Sequence, residues 1–287
     1  MVAEVLEYLA PGRGGLFVDC TVGLGGHARA LLEAGATRVI GLDRDPAALA
    51  RAQEVLAAWS DRIELVHSDY RDLNRVLDAR GITAIDGAMA DLGVSSMQLE
   101  TEGRGFTFRR DEPLDMRMDT SSGETAAEAL RVVDEQTLAN VIFEFGEERY
   151  ARRVARAIVQ ARTRGPIDTT GQLADIVRRA VARRGYTRID PATRTFQAIR
   201  IWVNRELDGL DVFLAATAGR LRAGARMTVI AFHSLEDRIV KRAFLAREAA
   251  GGWTRLTRKV LKPSGEERGG NPRSRSAKLR GILREAT

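Results

Sequence analysis

Four short apolar runs, at residues 16–20, 38–43, 62–66 and 85–91, are separated by stretches in which apolar side chains return every three or four positions. Short continuous runs read as buried strands, and the spacing between them reads as helices. The helices expected are one opening the chain, one from about residue 26, and one from Pro46 to Trp59, where proline suits the first helical position because no N–H is left unbonded. Such alternation builds a parallel sheet whose ligands lie beyond the carboxyl ends of the strands. Past Ser96 the pattern changes. Residues 100–123 are rich in Gly, Arg, Asp and Met without a clear period, and helical spacing follows at 124–131, 135–145, 147–163 and 171–184 with no strand between. Alternation resumes with a long helix from Thr195 to Leu221, a buried strand at 226–232 and a helix from Leu235 to Glu248. Two further strand candidates, 253–261 and 277–284, would close the sheet as an antiparallel hairpin. The expected fold class is α/β: a Rossmann-like sheet domain (1–100 and 200–287) carrying an inserted, mostly helical domain (101–199) for substrate recognition.

The first strand runs into Val18-Asp19-Cys20-Thr21-Val22-Gly23-Leu24-Gly25-Gly26-His27-Ala28. Glycines at a strand-to-helix turn let a ligand approach the backbone, and the free N–H groups of the first helical turn point outward there. The spacing Gly23-x-Gly25-x-x-Ala28 also fits a dinucleotide fingerprint, so glycines alone do not choose the ligand. Asp19 does. A strand-end carboxylate beside a pyrophosphate costs roughly 1 to 4 kcal/mol, whereas a donor carrying an ammonium and a sulfonium, S-adenosylmethionine, is attracted by it. The second run closes on Asp43, placed to grip a ribose diol. The third and fourth end in Ser68-Asp69-Tyr70 and Ala90-Asp91, although strand ends are often polar simply because they face solvent.

Composition narrows the class. The 287 residues are 44% hydrophobic, enough for a substantial core, with a net charge of +6 carried mostly by arginine, since Lys241, Lys259, Lys262 and Lys278 are the only lysines. Arginine forks suit phosphate, so a polyanionic partner is expected. Arg149, Arg152, Arg153 and Arg156 recur at helical spacing opposite Tyr150, Val154 and Ile158, and with Arg178, Arg179, Arg183, Arg184, Arg273, Arg275 and Arg280 they suggest an RNA footprint. A solvated face explains the same spacing. Cys20 is the only cysteine, which excludes disulfides and fits a reducing cytoplasm. No apolar run is long enough for a membrane span.

At Asp91-Leu-Gly-Val-Ser-Ser-Met-Gln-Leu the chain resembles the bacterial MraW/RsmH family, which methylates the exocyclic N4 of a cytidine in the decoding region of 16S rRNA. Further blocks carry the likeness: Asp43-Arg-Asp-Pro, Arg104-Gly-Phe-Thr-Phe, Pro113-Leu-Asp-Met-Arg-Met-Asp, Phe145-Gly-Glu-Glu-Arg, Pro191-Ala-Thr-Arg-Thr-Phe-Gln-Ala-Ile-Arg-Ile, Phe232-His-Ser-Leu-Glu-Asp-Arg-Ile-Val-Lys and Asn271-Pro-Arg-Ser-Arg-Ser. They span essentially the whole chain. The resemblance implies a class I methyltransferase fold with a helical insertion, S-adenosylmethionine as cofactor, and 16S rRNA or the small ribosomal subunit as partner; a homodimer stays open. It also implies that Gly25, Gly26 and His27 touch the methionine moiety or ribose, Asp43 the ribose hydroxyls and Tyr70 the adenine, with Asp91 and Gln98 completing the pocket. The family commonly opens with a His-x-Pro-Val-like stretch, whereas Met1 here leads almost directly into the first helix. If that stretch lines the active site, slow turnover is expected.

Methyl transfer from a sulfonium needs alignment and no metal, and three histidines with one cysteine lack metal-ligand spacing. A cytosine amine is a poor nucleophile and needs an acceptor; Asp91 is the candidate, with cofactor binding alone as its competing role. His233 is a second candidate at the same rim, for base or phosphate. Cys20, inside the cofactor turn, is rejected as a covalent nucleophile because amine methylation needs no adduct. Phe106 and Phe108 could stack on a flipped cytosine or simply fill space. An NAD-linked oxidoreductase and a non-catalytic RNA-binding or ribosome-assembly factor remain the alternatives.

Overall fold

Seven strands form one sheet in the computed structural model, which describes residues 1–181 and 190–286: β1 (Leu16–Asp19), β2 (Arg38–Asp43), β3 (Ile63–His67), β4 (Ile85–Asp91), β5 (Leu221–Ala231), β6 (Trp253–Arg255) and β7 (Lys278–Arg284). Their order is β3-β2-β1-β4-β5-β7-β6. The first five run parallel, and β7 lies antiparallel between β5 and β6. Burial on both faces explains the continuous apolar runs. Phe17, Val39 and Met89 point to one face and pack with Leu9, Leu31, Leu32 and Leu56 from the helices Val2–Leu9 and Gly26–Glu33 and the end of Pro46–Val55. Their strand neighbours Val18, Ile40 and Ala88 point to the other, against Leu77, Phe213, Val240 and Phe244 from Leu73–Asp78, Leu210–Arg220 and Ser234–Ala249.

Packing divides the chain into two units, Met1–Gly93 with Leu207–Thr287, and Val94–Glu206. The second unit contains the helices Ser96–Glu100, Ala126–Val132, Glu135–Gly146, Ala151–Arg162, Thr170–Ala180 and Ala192–Asn204, and no named strand among its described residues. Leu138, Ile142, Val154, Ile158, Leu173, Val177 and Ile199 form its core. Thr125 and Thr169 head capping boxes that satisfy the first free N–H groups of their helices. Asn204 ties the irregular 100–123 stretch down: its amide donates to the Met116 and Arg200 carbonyls at 2.7 and 2.9 Å, and its oxygen accepts the Met118 N–H at 2.7 Å.

Several elements differ from the sequence reading: the strand expected at 226–232 begins at Leu221, and the helix expected from Pro46 to Trp59 ends at Val55. The long helix expected from Thr195 to Leu221 is two helices, because Arg205 and Gly209 take left-handed φ angles of 50° and 66° and end one helix before the next starts. The helix expected from 147 begins at Ala151, after Glu147 turns left-handed at φ 49°, so Arg149 and Tyr150 precede it. The strand expected over 253–261 keeps ladder geometry only as β6 and an isolated bridge from Leu261 to Leu279.

Candidate active site

The carboxyl ends of β1, β2 and β4 bring three acids together. Asp19 closes β1 and is fully buried; its Oδ1 accepts the Thr21 N–H at 3.2 Å, while Oδ2 has no hydrogen-bond partner. Burial pushes this carboxyl up to about 7, and the charges of Asp91 and Asp43 push the same way against the opposing pull of His27 and the Thr21 N–H. Asp43 closes β2. Its Oδ2 accepts the Gly23 N–H at 2.8 Å and its Oδ1 the Asp45 N–H at 2.9 Å, so one carboxylate holds the glycine turn to the neighbouring strand end. Burial raises its pKa too, and those two N–H groups partly offset the rise. Asp91 closes β4. Its N–H donates to the Thr21 hydroxyl at 2.6 Å, its Oδ2 lies 3.5 Å from Nε2 of His27, and its Oδ1 is buried without a partner.

His27 sits in the first turn of the helix Gly26–Glu33, which starts at once after the glycines. Gly25 is the residue before the helix, at φ 83°, and a Cβ there would press on Leu56 at 2.9 Å. Both the angle and the space demand glycine. Gly26 is different: a Cβ there would meet nothing within 4 Å, so its face is open to a ligand. Burial works against a proton on His27, but the Asp91 and Asp19 carboxylates prevail and its pKa is raised. Nδ1 of His27 is buried and unpartnered, like Oδ2 of Asp19 and Oδ1 of Asp91. Three such atoms on neighbouring residues, two of them carboxylate oxygens, call for a ligand that brings positive charge and hydrogen-bond donors. A diphosphate fits none of this.

Thr21 was not singled out by the sequence reading, yet it links Asp19 to Asp91 through its N–H and its hydroxyl. The signal was Asp19-Cys20-Thr21 itself, a side chain bonding the backbone two residues on. Cys20 is buried and its thiol is pushed well up by burial and by Asp19, which makes it inert.

The remaining expected residues have these surroundings. Tyr70 packs its ring against Phe213 at 4.6 Å, and neighbouring Asp69 is held by Arg71 through two bonds of 2.8 and 2.7 Å. His233 heads the helix Ser234–Ala249 in a capping box with Glu236, whose N–H lies 3.4 Å from His233 Nδ1 and whose Oε2 accepts the Phe232 N–H at 2.8 Å. The ring thereby fixes the turn after β5. His-x-x-Glu is the sequence trace of that cap.

In the second unit, Gln98 forms the capping box with Ser95 at the head of its own helix. Phe106 is buried in that unit's core with Arg104 over its ring at 5.8 Å, and Phe108 meets Phe196 edge-on at 4.7 Å. Arg149 lies over Tyr150, Arg152 and Arg153 are exposed, and Arg156 pairs with Glu135 at 3.3 Å. Arg178 is held by Asp190 and Asp175, and Arg179 donates to the Asp175 carbonyl. Arg183 and Arg184 lie outside the described residues. In the first unit, Arg273 and Arg275 are exposed on the turn Pro272–Ser276, whereas Arg280 is buried against Asp237 at 2.7 Å.

Residues 1–285 match the family model described as the MraW methylase family. Proteins named ribosomal RNA small subunit methyltransferase H are similar over nearly the full chain. That of Sorangium cellulosum (strain So ce56) is 50% identical over 281 residues, covering 98% of this chain and 88% of its own. That of Geotalea uraniireducens (strain Rf4) is 48% identical over 300 residues, covering 98% and 96%.

Proposed function

The chain belongs to the MraW methylase family, and from that premise we propose that it transfers the methyl group of S-adenosylmethionine to the exocyclic N4 of a cytidine in the decoding region of 16S rRNA. The observation that carries the donor assignment is the trio of buried, unpartnered atoms on Asp19, His27 and Asp91 beside the open face of Gly26. S-adenosylmethionine supplies an ammonium group, a ribose diol and an electrophilic methyl on a cationic sulfonium. Asp19 and Asp91 would hold the positive charge, Asp43 the diol, and Gly26 the closest backbone approach. An NAD-linked reaction is disfavoured by the same acids, which would repel a pyrophosphate.

The reaction asks the protein chiefly for alignment, worth roughly 7 to 11 kcal/mol when reacting groups are held in line. Asp91 serves as the acceptor for an N–H of the target amine, freeing the nitrogen lone pair from the ring. His27, with Nε2 3.5 Å from Oδ2, orients that carboxylate. The amine proton then leaves to water. His233 acts at a distance by shaping the turn after β5. Arg149, Arg152, Arg273 and Arg275, all exposed, are proposed phosphate contacts, and Phe106 and Phe108 are proposed to shape the face on which a base is read. No helix among the described residues is long and apolar enough to cross a membrane, in keeping with action on ribosomal RNA in the cytoplasm.

The test is incubation with donor labelled in the methyl group and small subunits or 16S rRNA lacking the modification, followed by nucleoside mass spectrometry. N4-methylcytidine at one position is the expected product. Label on another base or atom would refute the N4 assignment, and no transfer to either form of the RNA would leave a binding factor instead.

A further inference from the structure

The chain's positive charge is not spread over its surface. Residues 250–284 hold ten Lys and Arg against two Glu, and the rest of the chain is slightly acidic. That stretch is the antiparallel margin of the sheet. From β6 the chain climbs along the outer side of β7: Trp253 pairs with Arg284, the Leu256 N–H donates to the Gly281 carbonyl, and Leu261 bridges to Leu279. Since Lys278 of β7 lies beside Ala231 at the carboxyl end of β5, this climb ends on the same end of the sheet as Asp91.

Arg258, Lys259 and Lys262 are exposed along the climb, Arg275 is exposed on the turn that precedes β7, and Lys241 and Arg242 are exposed on the helix that packs against β6. None of the six makes an ion pair or side-chain hydrogen bond among the described residues. The neighbouring acids are already used: Glu248 holds Arg255 at 2.6 Å, Asp237 holds Arg280, and Glu285 accepts from Thr254. Charge on an edge also discourages sheet-to-sheet pairing, but one or two lysines suffice for that.

We infer that this edge is a docking track for an RNA phosphate backbone, leading the strand to the end of the sheet where the acids converge. The inference rests on the RNA reading above and adds to it a surface. It binds by charge and without regard to sequence, because flexible cations on an open edge meet phosphates and no base edge.

The test is the salt dependence of binding of two short fluorescein-labelled RNAs, one with the decoding-region sequence and one scrambled, to the full chain and to the triple variant Arg258→Ala, Lys259→Ala, Lys262→Ala. Three lost phosphate contacts lower the slope of log affinity against log salt by about 2 for both RNAs, and weaken binding about 100-fold at about 0.1 M salt if the curves converge near 1 M. The charge-keeping variant Arg258→Lys, Lys259→Arg, Lys262→Arg retains the wild-type slope, and calorimetric uptake of S-adenosylmethionine is unchanged in both. A wild-type slope in the alanine variant would overturn the inference, as would equal loss in the charge-keeping one. Wild-type retention on polyglutamate as strong as on RNA would assign the surface to an acidic protein and overturn it too. The slope is read without methyl transfer, so failure of the N4 assignment leaves this measurement standing.

Discussion

Replacing Asp19 by Asn separates the stability of the empty protein from its hold on the donor. Burial lifts this carboxyl from 3.8 to about 7 in the folded chain. Between those values the folded protein keeps a proton that the unfolded chain has released, so Asp19 contributes stability that is complete below 3.8 and lost as pH rises through about 7. From pH 5 to the folded pKa is about two units, or about 2.7 kcal/mol. An Asn side chain does not titrate. It still offers an oxygen to the Thr21 N–H, and its new NH2 costs about 1 to 3 kcal/mol if no acceptor is found, at every pH alike. Urea unfolding of donor-free wild type and Asp19→Asn at pH 5 and pH 8 therefore shows their stability difference moving by about 2.7 kcal/mol toward the variant at the higher pH. Calorimetry at pH 6 in buffers of different ionisation enthalpy shows wild type releasing close to one proton on binding S-adenosylmethionine, because a bound cation favours the ionised acid. The variant releases none and binds at least tenfold more weakly. A stability difference that ignores pH, or donor affinity retained in the variant, would refute the reasoning.

Asp91→Ala lowers kcat/KM for methyl transfer by about 100-fold or more, the usual scale for losing a positioned proton acceptor, while donor affinity by calorimetry falls less than tenfold. The imidazole of His27, followed by NMR, titrates above 6.5 in wild type and shifts down in Asp91→Asn, because burial then acts with one carboxylate fewer to oppose it; an unmoved titration would remove Asp91 as its partner. Gly25→Ala and Gly26→Ala have opposite readouts despite their adjacency. The first loses about 1 to 3 kcal/mol in denaturant unfolding through its left-handed backbone and Leu56, and the second folds normally but binds donor more weakly because its Cβ enters open space. Equal unfolding midpoints for Gly25→Ala and wild type would contradict the geometry.

The sheet was readable because burial on two faces writes strands as unbroken apolar runs, and because Asp19, Asp43 and Asp91 each end one. The break at Arg205 was harder, since the residues on both sides keep helical spacing and only Asp208-Gly209 hints at a turn. Side-chain pairing was beyond sequence altogether. Arg178 and Arg280 look as free as Arg152 in a list of arginines, but each is closed by an aspartate distant in the chain or on another element. His233 illustrates the same limit: its place after a buried strand does not reveal that its Nδ1 faces the Glu236 N–H at the head of a helix. The cationic edge was present in the composition but diluted by averaging over the whole length.

Because residues 94–206 interrupt the first unit, β4 is translated long before β5, the neighbour that covers its free side. At ribosomal rates of about 5 to 20 residues per second, that interval lasts roughly 6 to 26 seconds. During it the nascent chain presents Ile85 to Asp91 as an open hydrogen-bonding margin in the middle of the future sheet. An unpaired strand edge is a template for self-association, so rapid overexpression is expected to raise the insoluble fraction and slower synthesis at low temperature to raise the soluble yield.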